Sequence, residues 1–168
     1  KKLSLGEVQV RKDLNAVSGA GKPKIGYKTV DLIKSIEAHL GQGDMTNAVL
    51  VGAGKLGKAL LEFDDFEDYG VKIIAAFDCN QNPIKYNRSI EILPMNDFDE
   101  FCKKNNVKIG IITVGAGSAQ NVCDRMVESG ITAIWNFAPC NLEVSDGILL
   151  KQERLALSLA YLNNKLGN

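Results

Sequence analysis

The residues best placed to do chemistry lie between Gly52 and Asp78. Gly52-Ala53-Gly54-Lys55-Leu56-Gly57 is a GxGxxG run. It follows Ala48-Val49-Leu50-Val51, an apolar stretch too short for a helix and with the β-branched content of a buried strand. It leads into Lys58-Ala59-Leu60-Leu61-Glu62-Phe63, which reads as helix. Strand, tight turn and helix N-terminus are the setting in which this motif holds a pyrophosphate. Gly52 allows the sharp turn, Gly54 lets backbone approach the anion, and Gly57 lets the helix lie close on the strand. Free N–H groups at the helix start face the phosphates. Val71-Lys72-Ile73-Ile74-Ala75-Ala76-Phe77 then reads as a second strand ending at Asp78, 21 residues after Gly57. A carboxylate there accepts from ribose hydroxyls and repels a 2′-phosphate, so NADH and NAD+ are favoured over their phosphorylated forms.

Other chemistry is poorly provided for. The one histidine, His39, falls in a linking helix ahead of the first sheet strand, and it builds no metal cluster alone. Four cysteines (Cys79, Cys102, Cys123 and Cys140) are widely spaced without a CxxC pair, which predicts scattered buried thiols rather than a disulfide framework or zinc site. Hydride transfer needs an acid or base at the nicotinamide. No substrate domain is evident to supply one, so an enzyme is not expected. Net charge is zero, yet the first 28 residues carry seven basic groups against Glu7 and Asp13, a local excess of +5. A basic arm on an acidic domain predicts an anionic partner, nucleic acid first.

These groups need elements to hold them. A helix is expected over about Leu5 to Val17, capped by Ser4 with Glu7 at the capping-box position. Ser18 to Tyr27, with its glycines, Pro23, Lys22 and Lys24, reads as a hairpin or wing. Asp31 to Leu40 reads as a linking helix closed by Gly41. After the second strand, Ile84 to Pro94 is a polar excursion with one short strand near Ile90 to Ile92. Helices are expected at Asp97 to Lys104 and after Gly115-Ala116-Gly117, and strands at Val107 to Val114, Ile131 to Phe137 and Ile148 to Leu150. Strands alternating with helices predict a parallel α/β sheet with right-handed crossovers. Its ligand would lie across the carboxyl ends, at Gly52 to Gly57, Asp78, Val114 to Gly117 and Phe137 to Pro139. A final helix from about Glu153 repeats Leu155, Leu159, Leu162 and Leu166, a stripe that suits core packing better than a second subunit. No run is apolar enough to span a membrane and no signal peptide is evident, which predicts a cytoplasmic protein. The start at Lys1 without methionine reads as a fragment.

Val10-Arg11-Lys12-Asp13-Leu14 followed by Gly26-Tyr27 resembles the recognition helix and wing of the Rex family, redox-sensing transcriptional repressors of bacteria. Gly52-Ala53-Gly54-Lys55-Leu56-Gly57, Ala76-Phe77-Asp78, Asn136-Phe137-Ala138-Pro139 and Leu159-Ala160-Tyr161-Leu162 follow in the matching order, so the likeness covers essentially the whole chain. The resemblance implies a partial winged helix over 1–44, an NAD(H)-binding Rossmann domain over 45–151 and a dimerisation helix over 152–168, exchanged between subunits. It implies a homodimer that binds palindromic operator DNA and releases it when NADH binds. The cofactor would meet Gly52, Ala53, Gly54, Lys55, Leu56, Gly57, Asp78, Val114, Gly115, Ala116, Phe137 and Pro139. DNA would meet Gln9, Arg11, Lys12, Lys22, Lys24 and Tyr27, with Gln9 suited to adenine in the major groove. The chain departs from the family where Gly115 follows Val114 in place of proline, and where Lys151 and Gln152 stand nearest the family's acid before the last helix. An NAD-dependent oxidoreductase and a CoA-binding domain are the alternatives, and Asp78 argues for a ribose diol over the latter.

Overall fold

Within β1 (Thr46–Val51), Ala48 to Val51 are apolar at consecutive positions because both faces of the sheet are covered. Ala48 and Leu50 enter one core with Leu61, Ile73, Ala76 and Ile111. Val49 and Val51 enter the other with Phe77, Phe98, Ile112, Ala119, Cys123 and Met126. The computed structural model describes residues 6–19, 21, 26–39, 45–79, 84–85 and 90–166. The chain forms two compact units, Lys1–Met45 with Glu67–Gly70, and Thr46–Phe66 with Val71–Asn168.

The second unit is built on a seven-stranded sheet in the order β3-β4-β2-β1-β5-β6-β7. Its further strands are β2 (Val71–Asp78), β3 (Ile84–Lys85), β4 (Glu91–Pro94), β5 (Ile109–Ile112), β6 (Ala133–Asn136) and β7 (Leu149–Gln152). Its helices are α3 (Lys55–Leu61), α4 (Phe98–Lys104), α5 (Ala116–Glu128) and α6 (Leu155–Leu166). All neighbours pair in parallel except β3, which lies antiparallel to β4 at the edge. The excursion between Ile84 and Pro94 therefore holds two strands, and the sheet is parallel only up to that edge. A two-residue strand has no periodicity for sequence reasoning to find. The six parallel strands follow the doubly wound order, which reverses between β2-β1 and β5 and opens a crevice at their carboxyl ends.

In the first unit, α1 (Glu7–Ser18) packs with α2 (Thr29–His39). The N-cap of α1 is Gly6 and makes no side-chain capping bond. Glu7 is thus the first helical residue and not the third of a capping box; Ser4 lies outside the described residues, as do Lys22, Lys24 and Gly41. Of the expected wing, Ser18 instead ends α1 and Gly26 makes an isolated β-bridge. His39 is exposed at the end of α2.

The cysteines are less uniformly buried than expected. Cys102 and Cys123 are enclosed, and burial pushes their thiols up to about 12 and about 11. Cys79 is exposed and Cys140 half-buried, and all four are free.

Helices α4 and α5 are joined by a small polar cluster. Arg125 donates from Nε and Nη2 to the two carboxylate oxygens of Asp99, at 3.0 and 2.8 Å. The Ser129 hydroxyl donates to Asp99 Oδ1 at 2.8 Å. The Arg125 bond, with the Ser129 bond behind it, holds the Asp99 carboxyl below its ordinary value. A carboxyl whose folded value is depressed stabilises the fold fully above its unfolded value and loses that contribution as pH falls through the folded one. Asp99→Asn is therefore expected to cost about 1 kcal/mol or less at neutral pH, the pair being partly exposed. The gap between variant and parent should close on acidification below about pH 4, as followed by urea melts across pH.

Candidate functional site

The carboxyl ends of β1, β2, β5 and β6 are held in register by the backbone itself. Gly52 N donates to Phe77 O at 2.8 Å, Thr113 N to Val51 O at 2.9 Å, and Phe137 N to Ile112 O at 2.9 Å. Residues far apart in the chain thus meet along one edge: the glycine loop after β1, Asp78 ending β2, Thr113 to Ala116 after β5, and Phe137 to Pro139 after β6.

Within the loop the three glycines serve different needs. Gly52 has a φ of +105°, which side chains rarely tolerate, and a Cβ there would come within 2.8 Å of the Thr113 backbone. At Gly57, buried in α3, a Cβ would lie 2.1 Å from Gly52 O. Gly54 differs from both. It caps α3 with ordinary extended dihedrals, φ −72° and ψ −166°, and a Cβ would meet nothing within 4 Å. The protein's own packing gives no reason for glycine at that position. An external group approaching the backbone closely gives one.

Asp78 is fixed from both sides. Its Oδ2 accepts from Ala53 N at 2.7 Å, and its Oδ1 accepts from Cys79 N at 2.7 Å and from the Cys79 thiol at 3.1 Å. The carboxylate is tied to the glycine loop. The same carboxylate raises the Cys79 thiol, by hydrogen bond first and charge second.

Thr113, which sequence reasoning left as an ordinary strand residue, pins the loop. Its hydroxyl lies 2.7 Å from Gly52 O and 3.1 Å from Val51 O. Val114 sits against Gly52, since its Cγ1 would be 2.9 Å from a Cβ there. Lys55, Leu56, Gly115, Ala116 and Pro139 are exposed along the same edge, and Ala53 and Phe137 are half-buried. Phe137 packs on Trp135 at a tilt, with centroids 4.5 Å apart, and Trp135 meets Phe66 edge-on at 5.9 Å.

On α1 the basic and amide side chains are exposed but engaged within the helix. Arg11 pairs with Glu7 at 2.6 Å, and the Gln9 amide donates to Asp13 at 2.8 Å. Exposed pairs of this kind are worth little, so phosphates or bases can replace the carboxylates at small cost. Lys12 is exposed beside them. Tyr27 is half-buried, with its ring against Gly21. Among the described residues no group of three or more His, Cys, Asp or Glu is arranged to hold a metal ion, and no helix is long and apolar enough to cross a membrane.

Comparison with known proteins bears on both regions. A family model described as a CoA binding domain matches residues 44–140. The "Redox-sensing transcriptional repressor Rex" of Desulforamulus reducens is 37% identical over 165 residues, covering 98% of this chain and 79% of that protein. Its namesake in Clostridioides difficile is 38% identical over 156 residues, covering 92% of this chain and 74% of that protein. Among solved structures, "RSP in complex with beta-NAD+ and operator DNA" superposes with a TM-score of 0.86 at 32% identity, covering 98% of this chain and 76% of that one. RSP in complex with beta-NADH superposes with a TM-score of 0.79, also at 32% identity, covering 98% and 77%.

Proposed function

This chain belongs to the Rex family of redox-sensing transcriptional repressors, and from that premise we propose that it binds operator DNA as a homodimer and lets go when NADH fills its sheet unit. It is a regulator and not an enzyme, and a repressor of this kind works in the bacterial cytoplasm, beside the chromosome.

The observation that carries the cofactor assignment is the open space at Gly54, beside a carboxylate already anchored at the end of β2. The pyrophosphate would rest against the backbone of Gly52, Ala53, Gly54, Lys55, Leu56 and Gly57, and the adenosine ribose would bond to Asp78. Val114, Gly115, Ala116, Phe137 and Pro139 would border the nicotinamide half. Bound NADH supplies no reaction here; its redox state is the signal. The match to a CoA binding domain reflects the same nucleotide-binding architecture. CoA carries a phosphate on its ribose, which a carboxylate at Asp78 repels.

DNA would be met by Gln9, Arg11 and Lys12 on α1 and by Tyr27, with Lys22 and Lys24, outside the described residues, reaching phosphate. The coupling is linkage: NADH must bind better to the form that holds DNA worse, and DNA must weaken NADH by the same factor. NAD+, as the oxidised partner, competes for the site without releasing DNA to the same degree.

The experiment is a titration of NADH, NAD+ and CoA followed by Trp135 fluorescence, on the parent and on Gly54→Ala. The parent is expected to bind NADH tightly and CoA poorly. The variant is expected to lose at least about tenfold in NADH affinity, a typical cost of about 1.4 kcal/mol or more, while its stability moves by no more than about 1 kcal/mol. Equal NADH affinity in parent and variant would sink the assignment.

A further inference from the structure

The loop that borders the nicotinamide half and the segment that leads into α6 together line a half-open pocket of ≈ 510 Å³. Phe137, Pro139 and Cys140 come from the loop, and Glu153, Arg154 and Leu155 from the segment. The residues immediately before these two walls are partners. Asn136 ends β6 and Gln152 ends β7, opposite each other in register. Asn136 Nδ2 donates to Gln152 Oε1 at 2.6 Å. Asn136 is fully buried, and it bonds the loop as well. Its Oδ1 accepts from Ala138 N at 2.9 Å, and its Nδ2 lies 3.3 Å from Ala138 O and 3.2 Å from Cys140 O. One side chain therefore shapes the loop and grips the end of β7.

The far side of this connection matters because α6 is only lightly held within its own chain. None of its residues is buried, so its direction is set by the root from which it grows. That root is tied to β6 by the bond from Glu153 N to Asn136 O at 2.8 Å and by Trp135 Nε1 donating to Glu153 Oε1 at 3.1 Å. The Asn136–Gln152 bond is one of two side-chain contacts that link the loop to the root of the helix, the other being Arg154 donating to Asn141, and it is the one that also shapes the loop from within.

We infer that Gln152 is a positioning residue of the redox switch, passing displacements of the 137–140 loop through Asn136 to the root of α6. This rests on the NADH reading given above. A bond of this kind is worth about a fivefold change in an equilibrium, against couplings that run from about 5- to 150-fold. Losing it should therefore be visible without abolishing either binding event.

The test uses the intact protein and two variants: Gln152→Met, which keeps length but removes the acceptor, and Gln152→Glu, which keeps an oxygen to accept from Asn136. NADH is the ligand because its nicotinamide is uncharged, so the new carboxylate of the second variant does not act on a cationic ring. NADH affinity is read from Trp135 fluorescence. The affinity for an operator duplex selected on the parent is read with and without NADH. Gln152→Met should keep each single affinity within about threefold, while the NADH-induced loss of DNA affinity shrinks by about fivefold; Gln152→Glu should retain the parent's response. The proposal is overturned if Gln152→Met responds like the parent, if Gln152→Glu is impaired equally, or if Gln152→Met loses both single affinities together as a misfolded chain does. A parent indifferent to NADH overturns instead the functional reading beneath it, and does so before any variant is compared.

Discussion

Gly57→Ala is expected to cost the sheet unit about 3 kcal/mol, and to take NADH binding with it, although alanine is the better helix former. Two effects of opposite sign meet at this position. Inside a helix, alanine is favoured over glycine by about 1 kcal/mol, so propensity alone predicts a more stable protein. The Cβ, however, would sit 2.1 Å from Gly52 O, 3.0 Å from Thr113 Oγ1 and 3.1 Å from Leu50 Cδ2. The nearest of these is backbone, in a loop whose own φ of +105° and contact with Thr113 leave it no room to retreat. Overpacking against an obstacle that cannot move outweighs the propensity gain. Urea melts of the variant check the sign, and a stabilised Gly57→Ala protein would refute the close approach. The contrast with Gly54→Ala, which should keep its stability and lose its ligand, separates a glycine needed by the fold from one needed by the cofactor.

The second large effect is expected on α6. Leu159 is 70% exposed and Leu162 57%, and the whole helix lacks a buried residue, so the stripe expected to pack into the core does not. A row of leucines this exposed calls for cover, and in a family of homodimeric repressors a second copy is the cover we propose. Burying one leucine is worth about 1.5–3 kcal/mol. A Leu159→Glu, Leu162→Glu protein should therefore dissociate with a dimer Kd raised by at least about 100-fold. Its sheet unit should melt as before, since both side chains are largely exposed within the chain. Sedimentation equilibrium against thermal melting decides it: an unchanged dimer, or a lowered melting point in the monomer, goes against the assignment.

Much of the site was legible because its parts are local. The glycines, the strand before them and the helix after them lie within a few residues of each other. Asp78 falls at the distance that one strand-helix-strand unit imposes. Composition likewise placed the basic arm at the N-terminus. The limits appear wherever a partner is distant in the chain. Thr113 pins Gly52 across 61 residues, Arg125 reaches Asp99 across 26, and Asn136 finds Gln152 across 16. No spacing rule announces any of them, and each looked like an ordinary strand or helix residue. The short edge strand β3 was missed for a related reason, since two residues are too few to carry a pattern.

The sequence by itself determined the glycine loop, the acid at the end of the next strand and the alternation of strands and helices, because those follow from nearest neighbours and from side-chain periodicity. Only the tertiary structure decided which glycine the fold itself requires and which it leaves in open space, and whether the leucines of α6 face the core or solvent. Both questions turn on what stands opposite a side chain in space. An apolar stripe at helical spacing fits an interior and an interface equally well, and only the completed sheet shows that its interior is already full.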